Sequence, residues 1–255
     1  MNTKTGHIVI AFGLIILLFG CASDPLTQTL KNYGYASTMP LPATMYIGDT
    51  YETKGLRNPY MVMKDKLSDY IQQVMETIKD DASIPDTSSE SKFNIEAEAD
   101  FIGEAKAELS AYGVSKFKVH FGGVVQYIIS KTKFEDEIYP KIKNAYAGRD
   151  FDKKYVIVAL LKVSTLEYEF YDKDGGKISI APGSKIEKVL KAKLGAELSA
   201  SKNNKLSVSS PRYIGYRMAQ LNEKSYGIEK SLKGMQLPKV ELIEIPAEEL
   251  RKALK

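Results

Sequence analysis

The chain has 255 residues, with 36 basic and 32 acidic side chains and a formal net charge of +4. That mild excess is spread along the chain, whereas a nucleic-acid binder concentrates its basic residues in a patch, so nucleic acid is excluded as a partner. A single cysteine leaves no intramolecular disulfide, and 16 tyrosines with no tryptophan favour a β-rich fold.

The N-terminus has the pattern of a secretory signal peptide. Lys4 is the only lysine or arginine among the first seven residues, and an apolar run over residues 8–19 ends at Gly20. This run is too short to cross a hydrocarbon layer of about 30 Å, which takes roughly 20 apolar residues. We therefore predict that residues 1–20 are a signal peptide, cleaved after Gly20.

The tetrad Leu-Phe-Gly-Cys at residues 18–21 resembles the lipobox of bacterial lipoproteins, in which the cysteine is acylated on its sulfur and its amine. Phe19 departs from the small residue that is usual there. The resemblance implies that Cys21 is the lipid attachment site. Ala22 and Ser23 lack the acidic signal for retention at the inner membrane, so it also implies an outer-membrane anchor with the protein facing the periplasm. The alternatives are an uncleaved anchor or a plain signal with a chance cysteine.

The segment after Cys21 is predicted to contain short helices, strands and loops. We predict a short helix ending near Gly34, a strand around Met45 to Tyr51, and a polar loop over residues 80–91. Between them, an amphipathic helix is predicted over residues 60–79. It follows Asn58-Pro59, and its apolar residues recur at spacings of three and four: Met63, Leu67, Ile71, Val74 and Ile78.

Residues 93–113 form the most regular pattern in the chain, because almost every odd position is apolar or small and the even positions are mostly charged. This alternation predicts a strand up to Phe101. For residues 102–112 a strand and a helix remain equal alternatives, since Phe101, Ala105, Leu109 and Tyr112 also share one helical face.

The second half of the chain predicts further strands and helices. They are a strand over 116–121, a helix over 133–147 bent at Pro140, a strand from 153 that returns to 180 through a turn at 172–176, a helix from about 185 capped by Ser184 and Glu187, strands over 213–221 and 239–245, and a C-terminal helix over 246–255. The fold class predicted is α+β, with mainly antiparallel sheet and flanking helices.

The sequence also shows a short internal repeat at an offset of 89 residues. The pentapeptide AELSA occurs at 107–111 and 196–200, and the same register pairs Tyr127 with Tyr216. We predict a lipidated N-terminus with a short helix over 21–40 and a single domain over 41–255. An internal duplication would divide that domain into similar halves, 41–130 and 153–245.

Few residues are candidates for chemistry. His120 shares the polar face of its strand with two lysines, which favours a solvated face over a metal site. Glu96, Glu98 and Asp100 lie in a row on one predicted strand face, so a hydrolase that uses carboxylates alone stays an alternative. The sequence has no zinc, thiol-redox, serine-hydrolase or phosphate-loop motif, and we expect no metal, no cofactor and no catalytic activity.

One family resemblance concerns residues 26–130. The segments LKNYGY (30–35), PLP (40–42), 93–111 and 116–128 resemble the pore-forming part of bacterial gasdermins. Members of that family begin beside a lipid-modified cysteine and use long amphipathic strands to build a membrane pore. The export signal is a departure, because the family is cytosolic.

The sequence thus supports three functional hypotheses. The preferred one is a non-catalytic lipoprotein of the cell envelope, attached to the membrane by Cys21, that offers sheet edges and tyrosines to an envelope protein. The second is a gasdermin-like protein that inserts into membranes, and the third is the carboxylate hydrolase.

Overall fold

Two antiparallel sheets, joined by strands that run from one into the other, form the frame of the molecule. The computed structural model describes residues 25–80, 87–92, 105–200, 204–208, 210–224 and 239–253. Every strand pair among these residues is antiparallel, and helices flank both sheets, which confirms the α+β class.

The described strands divide into a larger and a smaller sheet. The larger sheet contains β1 (Ala36–Ser37), β2 (Thr50–Tyr51), β3 (Pro59–Met61), β4 (Lys79–Asp80), β7 (Val125–Ile128), β8 (Tyr155–Val163), β13 (Arg212–Lys224) and β14 (Lys239–Glu244). The smaller sheet contains β5 (Thr87–Lys92), β6 (Lys116–Gly122), β9 (Thr165–Tyr171), β10 (Lys177–Ile178), β11 (Leu198–Ala200) and β12 (Lys205–Val208).

Seven described α-helical segments pack on these sheets. They are α1 (Pro25–Asn32), α2 (Ser68–Thr77), α3 (Lys106–Ala111), α4 (Lys131–Lys133), α5 (Tyr139–Ala145), α6 (Lys185–Leu194) and α7 (Ala247–Ala253). A 3₁₀ turn over Met63–Asp65 precedes α2, and a π-helical turn over Phe134–Ile138 joins α4 to α5.

The chain passes from one sheet to the other at three places: between β6 and β7, between β8 and β9, and between β12 and β13. β9 lies between β6 and β12 in the smaller sheet, and β8 lies between β7 and β13 in the larger one. The pairing of β6 with β9 ends at Gly122 and Thr165, and the pairing of β7 with β8 starts again at Val125 and Lys162. The two sheets therefore share three continuous ribbons, β6–β7, β8–β9 and β12–β13, which bend where they pass from one sheet to the other.

The bend is built around Gly123 and Ser164. Gly123 has φ +60°, and the Ser164 N–H donates to the carbonyls of Gly122 (3.1 Å) and Gly123 (3.3 Å). A Cβ on Gly123 would lie 2.8 Å from Ser164 Cβ and Oγ. Glycine is required here because the backbone is left-handed and the opposite side chain is in contact.

Two hydrophobic cores fill the space between sheets and helices. One lies between the inner face of the smaller sheet and α1, α3 and α6, and includes Leu30, Leu109, Phe117 and Leu190. The other packs on the larger sheet and includes Ile71, Phe134, Ile142 and Leu250 from the helical segments. Burial on this scale is the main stabilising term of the fold.

Several predicted elements are confirmed. The first helix ends before Gly34, which has φ +75°, and strand 116–121 appears as β6 with strictly alternating burial. The Ser184 side chain accepts from the Glu187 N–H (3.1 Å) and begins α6. The hairpin at 172–176, the strands β13 and β14 and the C-terminal helix are also present.

The predicted helix over 60–79 is wrong before Ser68, since Pro59–Met61 form β3 and the α-helix covers only Ser68–Thr77. The Met63 N–H donates to the buried Asp49 carboxylate (2.8 Å), and this long-range contact replaces a first helical turn. Asp49 also accepts from the Tyr46 N–H (3.2 Å), and residues 46–49 form a turn. Of the strand predicted around Met45 to Tyr51, only Thr50–Tyr51 is present, as β2.

The polar loop predicted over 80–91 is also wrong where it is described, because Thr87–Lys92 form β5 on the edge of the smaller sheet. A polar segment becomes a strand when a neighbouring strand satisfies its backbone hydrogen bonds. The long strand predicted from 153 is divided at Ser164 into β8 and β9, which belong to different sheets.

The helix predicted over 133–147 is present with an irregular turn. Pro140 lacks an N–H and cannot continue a regular helical ladder, and the turn before it is π-helical, with the Tyr139 N–H bonded to the Phe134 carbonyl. Residues 106–111 form α3, so the helical alternative is correct there. The strand predicted up to Phe101 lies outside the described residues.

The two copies of AELSA fold differently, as helix α3 at 107–111 and as strand β11 over Leu198–Ala200. Other residues at the same offset are equivalent in place, because Tyr127 and Tyr216 both lie opposite Leu160, on its two sides. The duplication stays a prediction.

The bend generates a testable prediction. Gly123→Ala adds a left-handed backbone penalty and an overlap with Ser164, and should lower the free energy of unfolding by about 2–4 kcal/mol. Urea denaturation measures this. Gly148→Ala is the matched control, because Gly148 has φ +83° with open space around its Cβ position; it should cost only about 1–2 kcal/mol. Equal losses in the two variants would contradict a role for the Ser164 contact.

Candidate functional site

The outer side of the smaller sheet carries a set of charged side chains that are joined by ion pairs. Successive side chains of a strand point to opposite faces, so the apolar residues of β6 and β9 face the core and their neighbours face outward. We call the outward set the polar face; it consists of Lys116, Lys118, His120, Glu167, Glu169, Tyr171, Lys177, Lys205 and Ser207.

Glu169 lies at the centre of the polar face and is almost completely buried, with 5% of its side chain exposed. Its carboxylate is 3.0 Å from Lys177 Nζ, 3.2 Å from Lys205 Nζ and 3.1 Å from His120 Nε2. The Tyr171 hydroxyl also donates to it. One acidic side chain therefore connects β6, β9, β10 and β12.

Burial by itself would raise the pKa of Glu169, but the hydrogen bonds from Tyr171, Lys177 and Lys205 outweigh it and lower the pKa to about 2. Glu169 is consequently ionised at every physiological pH. A buried charge is tolerated only when it is paired, and this one has several donors.

The lysines cover the rest of the polar face. Lys116 and Lys118 Nζ lie 5.3 and 5.5 Å from the centre of the Tyr171 ring, at cation–π distance. Lys205 also pairs with Glu167 at 2.7 Å. Charges of opposite sign alternate across the strands, so the face is suited to holding the sheet together in contact with water.

Of the candidate site residues predicted from the sequence, only His120 lies within the described part of the structure. His120 is on the polar face, with 31% of its side chain exposed, and contacts Glu169 instead of standing alone. Gly20, Cys21, Glu96, Glu98 and Asp100 lie outside the described residues.

Sequence reasoning missed Glu169, although the alternation in TLEYEFY (165–171) places it in one row with Glu167 and Tyr171. What it could not supply were the lysines that reach Glu169 from β10 and β12. Within the described ranges, no group of three or more His, Cys, Asp or Glu side chains is arranged to hold a metal ion.

A second feature is the contact between α3 and α6. The Ile186 N–H, in the first turn of α6, donates to the Glu108 carboxylate of α3 at 2.7 Å. Ala105 and Leu109 are fully buried beside it. A carboxylate at a helix N-terminus satisfies a backbone donor and interacts favourably with the helix dipole.

A third feature is the buried carboxyl group of Asp49, which is 6% exposed. Burial raises its pKa to about 6, against the opposing effect of the hydrogen bonds from the Met63 and Tyr46 N–H groups. Asp49 is thus the opposite case to Glu169, since its two backbone donors and the charge of Lys64 do not compensate for its loss of water.

Among the helices built from described residues, none has the length and apolar character needed to span a bilayer.

Comparison with solved structures identifies a similar fold. A bacterial gasdermin from Bradyrhizobium tropiciagri matches this chain with a TM-score of 0.50 and 14% sequence identity. The match covers 87% of this chain and 90% of that one. The likeness at this identity concerns the fold, and it extends well beyond residues 26–130. No protein-family model and no curated protein matches the chain.

The Glu169 cluster predicts a specific dependence of stability on charge. Glu169→Gln removes the acceptor shared by two lysines and should lower the unfolding free energy at pH 7 by about 3 kcal/mol. The pKa of Glu169 is lower in the folded than in the unfolded chain, so its stabilising effect is present above pH 4.5 and disappears as pH falls toward 2. Denaturant titrations at several pH values measure both effects.

Glu167→Gln is the matched control, because Glu167 lies on the same strand and face with 30% of its side chain exposed. It should cost less than about 1 kcal/mol. The two variants behaving alike would show that Glu169 is no more important than an exposed ion pair.

Asp49 predicts a pH effect of opposite sign. Its pKa rises from 3.8 to about 6 on folding, so the contribution of Asp49 to stability is highest below pH 3.8 and is lost as the pH rises through 6. The loss should approach about 3 kcal/mol. Comparing wild type with Asp49→Asn isolates this contribution, because the variant cannot titrate there. A parallel pH profile for the two proteins between pH 4 and 6.5 would contradict it.

Proposed function

We propose that this protein is a membrane-inserting pore former held at the membrane surface by a lipid on Cys21. The observation that carries this proposal is the fold likeness to a bacterial gasdermin, which extends over 87% of the chain. Gasdermins build membrane pores from long amphipathic strands, and the resemblance in residues 93–111 and 116–128 points to the same behaviour.

The pattern of the strands supports this role. A strand in a membrane pore takes about 9–11 residues and needs one apolar row toward lipid and one polar row toward water. β6 already has such rows, with Phe117, Val119 and Phe121 buried and the lysines and His120 outward. The alternation over 93–101 has the required length.

The lipid anchor is supported by the Leu-Phe-Gly-Cys tetrad at 18–21. Helix α1 begins at Pro25 and is fixed to the core by Leu26 and Leu30, both fully buried. From Cys21 to Pro25 the chain reaches at most roughly 14 Å. An acylated Cys21 would therefore keep the folded body beside the membrane, on the periplasmic side of the outer membrane according to the lipobox resemblance.

The second candidate is a non-catalytic envelope lipoprotein that binds a partner protein without inserting. The polar face favours it, because Glu169 pairs with Lys177 and Lys205 and so holds the strands of this face together. Both candidates use the same anchor and neither needs a catalytic step.

A vesicle assay separates the two candidates. Purified acylated protein is added to vesicles of phosphatidylethanolamine and phosphatidylglycerol filled with a self-quenching dye. A pore former releases the dye in proportion to protein added, because inserted strands open an aqueous path. Mass spectrometry of the same sample shows whether the chain begins at an acylated Cys21.

Cys21→Ser is the control for the anchor. Without acyl chains the protein loses most of its membrane affinity, so half-maximal release should need at least about ten times more protein. If the vesicles stayed intact at every ratio of acylated protein to lipid, the pore-forming role would be wrong. The envelope lipoprotein that binds a partner without inserting would then be the function.

A further inference from the structure

Helix α3 has a sequence that forms a strand elsewhere in the same protein. Residues 107–111 and 196–200 are both Ala-Glu-Leu-Ser-Ala, and the second copy contains strand β11. In that copy Ala196 and Leu198 are buried while Glu197 and Ser199 are exposed, which is the period of two typical of a strand. The pentapeptide itself is therefore compatible with either structure.

Local interactions provide little support for α3. It contains six residues, and its N-cap residue, Ala105, makes no side-chain capping bond. Helices shorter than about 12 residues are marginal in water, so tertiary contacts must stabilise this one. Those contacts are the burial of Ala105 and Leu109 and the bond from the Ile186 N–H to Glu108.

The Glu108 bond is the part of these contacts that depends on the helix. In a helix, Ala105 and Leu109 lie on one side because they are four residues apart, and Glu108 lies beside them, three residues from Ala105. In a strand, Glu108 would point away from Leu109, to the opposite face. If residues 105–111 were a strand with Leu109 in the core, the Glu108 side chain could not reach the Ile186 N–H of α6. The Glu108–Ile186 bond and the strand conformation therefore exclude each other.

We infer that α3 is a conditional helix and that the Glu108 carboxylate on the N-terminus of α6 is the latch that holds it. When the latch opens, residues 105–111 adopt the strand conformation that their alternating sequence also encodes. The inference deepens the proposed function, because it assigns a control point to the conversion into an inserting form. Glu108 is a positioning residue, because it acts on α3 through its bond with the Ile186 N–H.

The latch is tested first in solution, by hydrogen exchange of the α3 amides. Glu108→Gln keeps the shape of the side chain and removes its charge, so exchange in α3 should become about tenfold faster. Glu197→Gln is the matched control in the identical pentapeptide. Glu197 is 77% exposed on its side chain and lies near Lys191 of α6, and its loss should leave α3 unchanged. Equal protection of α3 in Glu108→Gln and wild type would overturn the inference.

The strand alternative is tested by substitutions at the exposed Ser110. Ser110→Val favours a strand and should speed both α3 exchange and dye release from phosphatidylethanolamine and phosphatidylglycerol vesicles by a few fold. Ser110→Ala favours a helix and should slow both. If the two variants shift exchange in the same direction, or neither shifts it, the inference is wrong.

The two proposals fail in distinguishable ways. Absence of dye release by wild type and every variant, with the expected changes in exchange, would contradict pore formation and leave the latch standing. Dye release by wild type that Glu108→Gln and the Ser110 variants do not alter would contradict the latch and leave pore formation standing.

Discussion

The antiparallel pairing of the β6–β7 ribbon with the β8–β9 ribbon is the constraint on which the rest of the structure depends. It continues through both sheets and is interrupted only where Gly123 meets Ser164. Because strands pleat with a period of two, this pairing decides at once which side chains enter the two cores and which form the polar face. The helices then cover the apolar surfaces that the ribbons leave.

The polar face and the α3–α6 contact show two uses of a carboxylate in the same fold. Glu169 is buried among cationic donors and stabilises the arrangement of four strands. Glu108 is half-buried and satisfies one backbone donor of a neighbouring helix. The Glu169 contacts hold strands β6, β9, β10 and β12 together, whereas the proposed Glu108 latch selects between the helix and the strand that the local sequence permits. The proposed pore former has to be stable in water and still rearrange, which needs contacts of both kinds.

Part of the fold and of the candidate site could be predicted from local pattern. Strand β6 follows from the alternation of Phe117, Val119 and Phe121, and helix α6 follows from Ser184 and Glu187, since a periodic row or a cap is formed by residues close in sequence. The partner of His120 could not be predicted, because Glu169 comes from another strand. Lys177 and Lys205, which pair with Glu169, come from two further strands. The start of α2 was misplaced for the same reason: the Asp49 carboxylate that binds the Met63 N–H is remote from the helix pattern.

The sequence by itself determined strand β6, the Ser184 cap of α6 and the turn at 172–176, because each depends on interactions within a few residues. The succession of such elements along the chain determined the α+β class. Tertiary structure decided the break at Ser164, the strand over Thr87–Lys92 and the two conformations of AELSA. In each of these cases the local sequence has only a weak preference for one secondary structure, or prefers two equally. The hydrogen-bond partners and buried surface that settle the conformation are then supplied by distant parts of the chain.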